Sequence, residues 1–289
     1  MMKKFLILIA AALMPVFASA QIQITTKKVK IADFPQKITK VVLSGNGFYD
    51  SAFREEVSAR WRVSPYEFCT LEDFEKLKGS DQFYFLLITE GQFKKESEPG
   101  IQFITLVKGG AEAAKGIDHM LEIVTMPFAA ADFPSGRELV FLPALLDIIQ
   151  SYTTDSLEKD ISTLGGLNTY CSNITRAGDM DIAFAECDFS TEITETVKKH
   201  NFDDSIIIAD EDTIDELAVN NEPNTLVSYV VAPDEPVEGS FCYKMLIDTQ
   251  NHKLYYFRKH RIGKKLNSGF LFEDIKRITA GRNKAKSKN

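Results

Sequence analysis

Five apolar positions recur at one spacing: Phe53 and Ile193, Val57 and Val197, Phe68 and Ile208, Phe74 and Ile214, and Leu77 and Leu217 are each 140 residues apart. Hydrophobic periodicity decides which faces of helices and strands turn inward, so a pattern repeated at domain-scale distance predicts two copies of one unit.

In the first half, Val41-Val42-Leu43 reads as a strand closed by Ser44-Gly45-Asn46-Gly47, and a helix with Phe53, Val57 and Trp61 on one face follows, with Asp50 or Ser51 near its start. Tyr66 to Cys69 reads as a second strand, and Thr70 with Asp73 forms the N-cap signature of a helix carrying Phe74 and Leu77 inward and stopped by Gly79. Strands over Phe83 to Thr89, Ile101 to Lys108 and Met120 to Met126 precede a helix from about Leu139 to Tyr152.

The second half gives the same order: a strand over Ala183 to Cys187, a helix with Ile193 and Val197, and the strand Ser205 to Ala209. A helix started by Asp210 or Asp212, strands over Leu226 to Val231, Phe241 to Asp248 and Leu254 to Lys259, and a helix with Phe272, Ile275 and Ile278 complete it. The expected fold is α/β, an α+β sandwich of two tandem β-α-β-α-β-β-β-α units with helices packed on a mixed sheet. Residues 38–155 and 182–280 are the two units, 21–37 an N-terminal extension, 156–181 a linker with Gly165-Gly166, and 281–289 a basic, solvated tail with Arg282, Lys284, Lys286 and Lys288.

Residues 1–20 have a separate logic. Lys3 and Lys4, the apolar run Phe5 to Phe17 and Ala18-Ser19-Ala20 read as a secretory signal cleaved after Ala20. The run is shorter than the roughly 20 residues of a membrane helix. No Cys lies near the cleavage point to take a lipid, the first being Cys69. The expectation is a periplasmic or secreted protein with no integral membrane segment after cleavage. Loss of the two lysines takes the formal charge from −7 to −9, a balance that argues against nucleic acid as a partner.

The order of elements, with the closing strand-turn-strand Phe241 to Asp248, Thr249-Gln250-Asn251-His252, Lys253 to Phe257, resembles a group of bacterial envelope domains. The group includes the N-terminal domain of the Tol-Pal translocation protein, the curli secretion lipoprotein and the lipoprotein activators of peptidoglycan synthases. The resemblance implies an anticodon-binding-like α/β fold and domains that dock on other envelope proteins or self-associate without catalysing. Arg60-Trp61-Arg62-Val63-Ser64-Pro65-Tyr66-Glu67-Phe68 is also similar to segments of uncharacterised exported bacterial proteins.

Residues able to carry chemistry are dispersed. His119, His200, His252 and His260 form no H-E-x-x-H or H-x-H, and His252 is expected on the surface of a hairpin turn. Cys69, Cys171, Cys187 and Cys242 contain no C-x-x-C and read as buried thiols or one or two bridges, with the pairing open. Ser44-Gly45-Asn46-Gly47 stands where a phosphate loop would, but lacks the remaining motif residues and has Asp50 beside it, so a turn and helix cap is expected. Asp203-Asp204 and Asp210-Glu211-Asp212 lack calcium-loop spacing and read as caps.

No catalytic, cofactor-binding or metal-binding residue is assigned, and no cofactor is expected. The leading reading is a non-catalytic envelope protein mediating protein–protein interaction or assembly, with Trp61, Tyr66 and the strand Phe83 to Thr89 as candidate surfaces, although each suits a core better than an interface. The alternatives are a hydrolase or thiol enzyme, which needs His, Cys and acids to converge, and a small-ligand-binding protein, which needs apolar side chains lining an inter-unit cleft.

Overall fold

The computed structural model describes residues 31–92, 96–158 and 166–286. The secretory signal of residues 1–20 lies outside the described residues, as does 21–30 of the extension. The first unit contains β1 (Ile38–Val42), α1 (Gly47–Arg60), β2 (Tyr66–Cys69), α2 (Leu71–Leu77), β3 (Phe83–Gly91), β4 (Ile101–Lys108), β5 (Leu121–Ala130) and α3 (Arg137–Glu158). The second contains β6 (Asp181–Ala185), α4 (Glu195–Asn201), β7 (Ile206–Ala209), α5 (Glu211–Val219), β8 (Thr225–Val231), β9 (Phe241–Asp248), β10 (Leu254–Arg261) and α6 (Phe272–Lys286). Each unit is β-α-β-α-β-β-β-α.

The sheets repeat each other in order and sense. The first runs β2-β1-β3-β4-β5 and the second β7-β6-β8-β9-β10. In each, the first strand is parallel to both neighbours and the remaining pairings are antiparallel. Val41 pairs with Phe68 as Phe184 pairs with Ile208, so the Phe68 and Ile208 positions are equivalent in space. Thr70 and Asp210, also 140 apart, are both N-caps: Thr70 makes a reciprocal capping box with Asp73, and Asp210 accepts from the Thr213 amide.

The spacing fails at one element. The Ile193 equivalent of Phe53 lies before α4, which starts at Glu195 and has half the length of α1. Thr194 caps α4 by accepting from Val197, and Ile193 is buried as the chain enters it. The strand expected through Cys187 stops at Ala185, because Glu186–Asp188 winds as a 3-10 turn that carries Asp188 inward.

The sheets are stacked through shared helices. One face of the first sheet holds Val42, Phe85, Leu87 and Val107 under Phe74 of α2 and the 3-10 segment Ala111–Lys115. Its other face, with Val41, Leu86, Ile104 and Met126, packs on Phe53 and Val57 of α1 and on α3, and the same core continues into Val227, Tyr229, Met245 and Ile247 of the second sheet. The far face of the second sheet is closed by Phe270, Ile275 and Ile278. α3 is therefore buried over most of its surface, with only Ser151, Thr154 and Glu158 exposed.

Two expected loose segments are packed. Within the 156–181 stretch read as a linker, α3 runs on to Glu158 and Gly166–Arg176 winds as a 3-10 segment against β10, Cys171 Sγ donating to the Phe257 carbonyl and Asn173 Nδ2 to that of Leu254. At the other end α6 extends to Lys286, and Arg282 is only 3% exposed. Its guanidinium pairs with Asp203 at 3.3 Å and donates to the Met180 carbonyl at 3.0 Å. The basic tail is thus anchored at Arg282, whose two terminal nitrogens donate to Asp203, the Met180 carbonyl and Ser205, a fork that a lysine could not supply.

Candidate functional site: the cleft between the units

Threonine suits a pleated, half-buried surface, and three of them line up across the outer face of the first sheet. Thr105 of β4 is directly opposite Thr125 of β5, and Thr89 of β3 reaches it from the other side, with Oγ–Oγ distances of 3.3 and 2.9 Å. Three hydroxyls joined by two bonds still hold one uncommitted proton. This row forms a polar stripe between Phe103, Val107 and Ile123.

The facing wall comes from the second unit. Tyr243 of β9 meets Phe103 edge to face at 5.6 Å, and Phe257 of β10 stands 6.1 Å from Tyr243. Tyr152 near the end of α3 and the turn Gly166-Leu167-Asn168 close one end. The resulting cleft has a volume of about 670 Å³. Gly91 at the end of β3 makes room for the Phe103 ring, since a Cβ there would lie 2.5 Å from Phe103 Cε2.

Charge is confined to the rim. Glu90, Asp118 and Glu122 stand on the first unit's side and Lys259 on the second's, all exposed. Lys259 Nζ lies 5.0 Å from the Phe241 ring centroid and 5.8 Å from that of Tyr243, a cation–π arrangement. Among the described residues Asp118 has only His119, at 3.7 Å, as an ion-pair partner. Burial holds the Tyr243 phenol well above its ordinary pKa, with the charges of Glu122 and Glu96 adding to it; burial and Glu122 also raise Tyr152. The Glu122 carboxylate therefore acts on both tyrosines of the cleft.

The remaining polar clusters are committed to structure. Arg137 at the start of α3 bonds Asp215 at 2.9 Å, Asp188 at 3.1 Å and the Ser228 carbonyl at 3.3 Å, all in the second unit. The Ser44 loop holds no room for an anion. Asp50 folds back to accept from the Ser44 amide at 2.7 Å and the Gly45 amide at 3.0 Å, occupying the concavity where a phosphate would sit, while Asn46 caps α1. Asp203 accepts from the Ser205 amide and Asp210 caps α5, so both acidic clusters serve turns and caps. Among the described residues no group of three or more His, Cys, Asp or Glu is placed to hold a metal ion.

The histidines lie apart. His119 and His200 are exposed, and the half-buried His260 donates from Nε2 to the Asn267 carbonyl at 2.8 Å, burial lowering its pKa. His252 is not the solvated turn residue its sequence context suggests. Its Nδ1 is 2.7 Å from Asp147 of α3, which Arg60 of α1 also reaches at 3.1 Å, so the hairpin of one unit is fastened to a carboxylate that joins two helices of the other. All four cysteines are free: Cys69 and Cys242 buried, Cys171 half-buried, Cys187 exposed. Burial raises every thiol, Cys242 to about 11 and Cys187, beside Asp188 and Glu211, to about 12. None is activated as a nucleophile.

Trp61 is 2% exposed and donates from Nε1 to Ser64, which places it in the core. Tyr66 is half-buried edge to face with Phe68, and Tyr84 to Leu87 of β3 are buried, so of that strand Thr89 to Gly91 reach the cleft. An inter-unit cleft is among the sequence expectations, but its lining residues are not, because its walls lie on β4–β5 and β9–β10, whose relation only the packing of the units creates.

Comparison with known proteins finds no family model, no curated protein and no solved structure that matches the chain.

Proposed function

We propose that this is an exported, non-catalytic binding protein that holds an amphiphilic ligand in the cleft between its two units. The observation that carries the reading is the cleft itself: its volume of about 670 Å³ lies within the range of ligand sites, and its apolar walls surround a single row of hydroxyls. The export signal expected at residues 1–20 and the envelope-domain order of elements, present in both units, support a role in the envelope.

Docking on another envelope protein has less behind it. Trp61 and most of β3 are core, and the exposed large apolar side chains Phe48, Leu71, Phe133, Ile207, Val219, Val237 and Leu266 come from separate segments of the chain.

The test is native mass spectrometry and extraction of protein isolated from its own host, together with a thermal-shift screen of small amphiphiles. A compound that co-purifies or raises Tm is expected, and the effect should vanish when Asn168→Trp fills the exposed end of the cleft. Binding unaffected by that substitution, or no binding by either route, overturns the reading.

A further inference from the structure

The chemistry of the cleft says which kind of amphiphile it takes. Resting on the reading of the cleft as the binding site, we infer that its ligand is an organic cation: an amine or quaternary ammonium group carried on an apolar body. Three carboxylates, Glu90, Asp118 and Glu122, face one ammonium, Lys259, across the opening. Among the described residues neither Glu90 nor Glu122 has an ion-pair partner, and Lys259 is engaged by the Phe241 and Tyr243 rings on the opposite wall. The carboxylates are left to a charge brought from outside.

The floor beneath them suits the same ligand. Tyr152, Tyr243 and Phe257 line the same cleft as Glu122, and aromatic rings beside a carboxylate favour an ammonium that has shed part of its water. That the Tyr243 ring already receives the Lys259 ammonium at 5.8 Å shows that this ring is presented to a cation. The threonine row adds one donor and several lone pairs to orient a neutral polar group on the ligand body. An anionic ligand would meet three like charges at the mouth, and repulsion between like charges excludes partners as effectively as attraction selects them.

Three probes of one shape separate the possibilities: 4-phenylbutylamine, 4-phenylbutanol and 4-phenylbutyrate, titrated by calorimetry and ligand-observed NMR into the full chain. The amine is expected to bind at least tenfold tighter than the other two. Glu90→Gln/Glu122→Gln, at exposed positions, should weaken the amine at least fivefold and leave the alcohol unchanged, and raising salt from about 50 to 500 mM should weaken the amine alone. Thr125→Trp should abolish binding of every probe, and Asn168→Trp at the exposed rim serves the same purpose if Thr125→Trp does not fold. Equal or tighter binding of the alcohol or acid, still blocked by the filling variants, overturns the cation inference and leaves the cleft reading standing. Binding of no probe, or binding indifferent to the filling variants, overturns the cleft reading itself.

Discussion

The ring of Phe141 lies flat against that of Tyr229, centroids 4.3 Å apart and planes 13° from parallel. One ring belongs to α3 of the first unit and the other to β8 of the second, and the Arg137 guanidinium lies 5.5 and 5.7 Å from the two centroids. The contact belongs to a core that runs unbroken from one sheet to the other.

A shared core predicts one unfolding transition. Fluorescence of Trp61, the single tryptophan and a core residue of the first unit, should follow the same urea curve as far-UV circular dichroism, which reports both units. Phe141→Ala should lower stability by about 3–5 kcal/mol and keep the two curves coincident. Separate midpoints would show that the units fold independently.

Lys244 and Asp274 are buried together, 1% and 2% exposed, with Tyr256 Oη donating to the same carboxylate at 2.6 Å and the Leu271 amide at 2.9 Å. Lys244→Met leaves the buried carboxylate with only the Arg258 guanidinium, 3.9 Å away, to offset its charge, and should cost about 3–5 kcal/mol. Adding Asp274→Asn should recover at least half of that loss. Additive losses in urea denaturation would mean that the two residues act independently.

Acid dependence should contain two opposing contributions. Burial pushes the Asp215 carboxyl up to about 6, the attraction of Arg137 falling short of it. Between about pH 4 and 6 the folded chain holds a proton that the unfolded chain has released, so this group's contribution to stability falls as pH rises through that window and is flat above it. Asp215→Asn should therefore gain stability relative to wild type between pH 4.5 and 6.5. Burial would also raise Asp33, but hydrogen bonds from Lys37, Tyr84 and Lys108 hold it well below the usual range. Its contribution is present above about pH 4 and lost below, and Asp33→Asn should remove that acid limb. Urea midpoints measured across pH decide both, and parallel profiles for the variants and wild type would refute the assignment.

Asp50 gives a local test. Asp50→Ala removes the acceptor of the Ser44 and Gly45 amides at the entry to α1 and should cost about 0.5–2 kcal/mol by denaturation. A stability equal to wild type would show that solvent replaces the carboxylate without loss.

The regular elements were legible because their periodicity is strong. Ile101–Lys108 and Phe241–Asp248 coincide with the strands read from alternating and continuous apolar runs, and Thr70 with Asp73 announces α2 through a pattern that has one physical use. What escaped reading depends on distant partners. Gly166–Arg176 is polar and without strand periodicity, yet Cys171 and Asn173 tie it to backbone carbonyls of β10, more than 80 residues away. His252 has the local signature of a turn, while its partner Asp147 is 105 residues distant. The cleft is the extreme case: Thr89, Thr105 and Thr125 are ordinary strand residues until register aligns them and Tyr243, Phe257 and Lys259 of the second unit reach the same cleft.

The final helix of each unit occupies the same place in the topology and a different place in the molecule. α3 is enclosed on both sides, whereas Glu273, Lys276 and Arg277 of α6 face water. Transplanting the α6 sequence into the α3 position would bury those charges between two sheets, and the reverse exchange would leave Leu and Ile on an open surface. The two positions therefore place opposite demands on their sequences, one for burial on most sides and one for a wet face. Asymmetric stacking thus sets different surface demands on two halves with one wiring diagram, which is why little more than the spacing of a few inward residues matches between them.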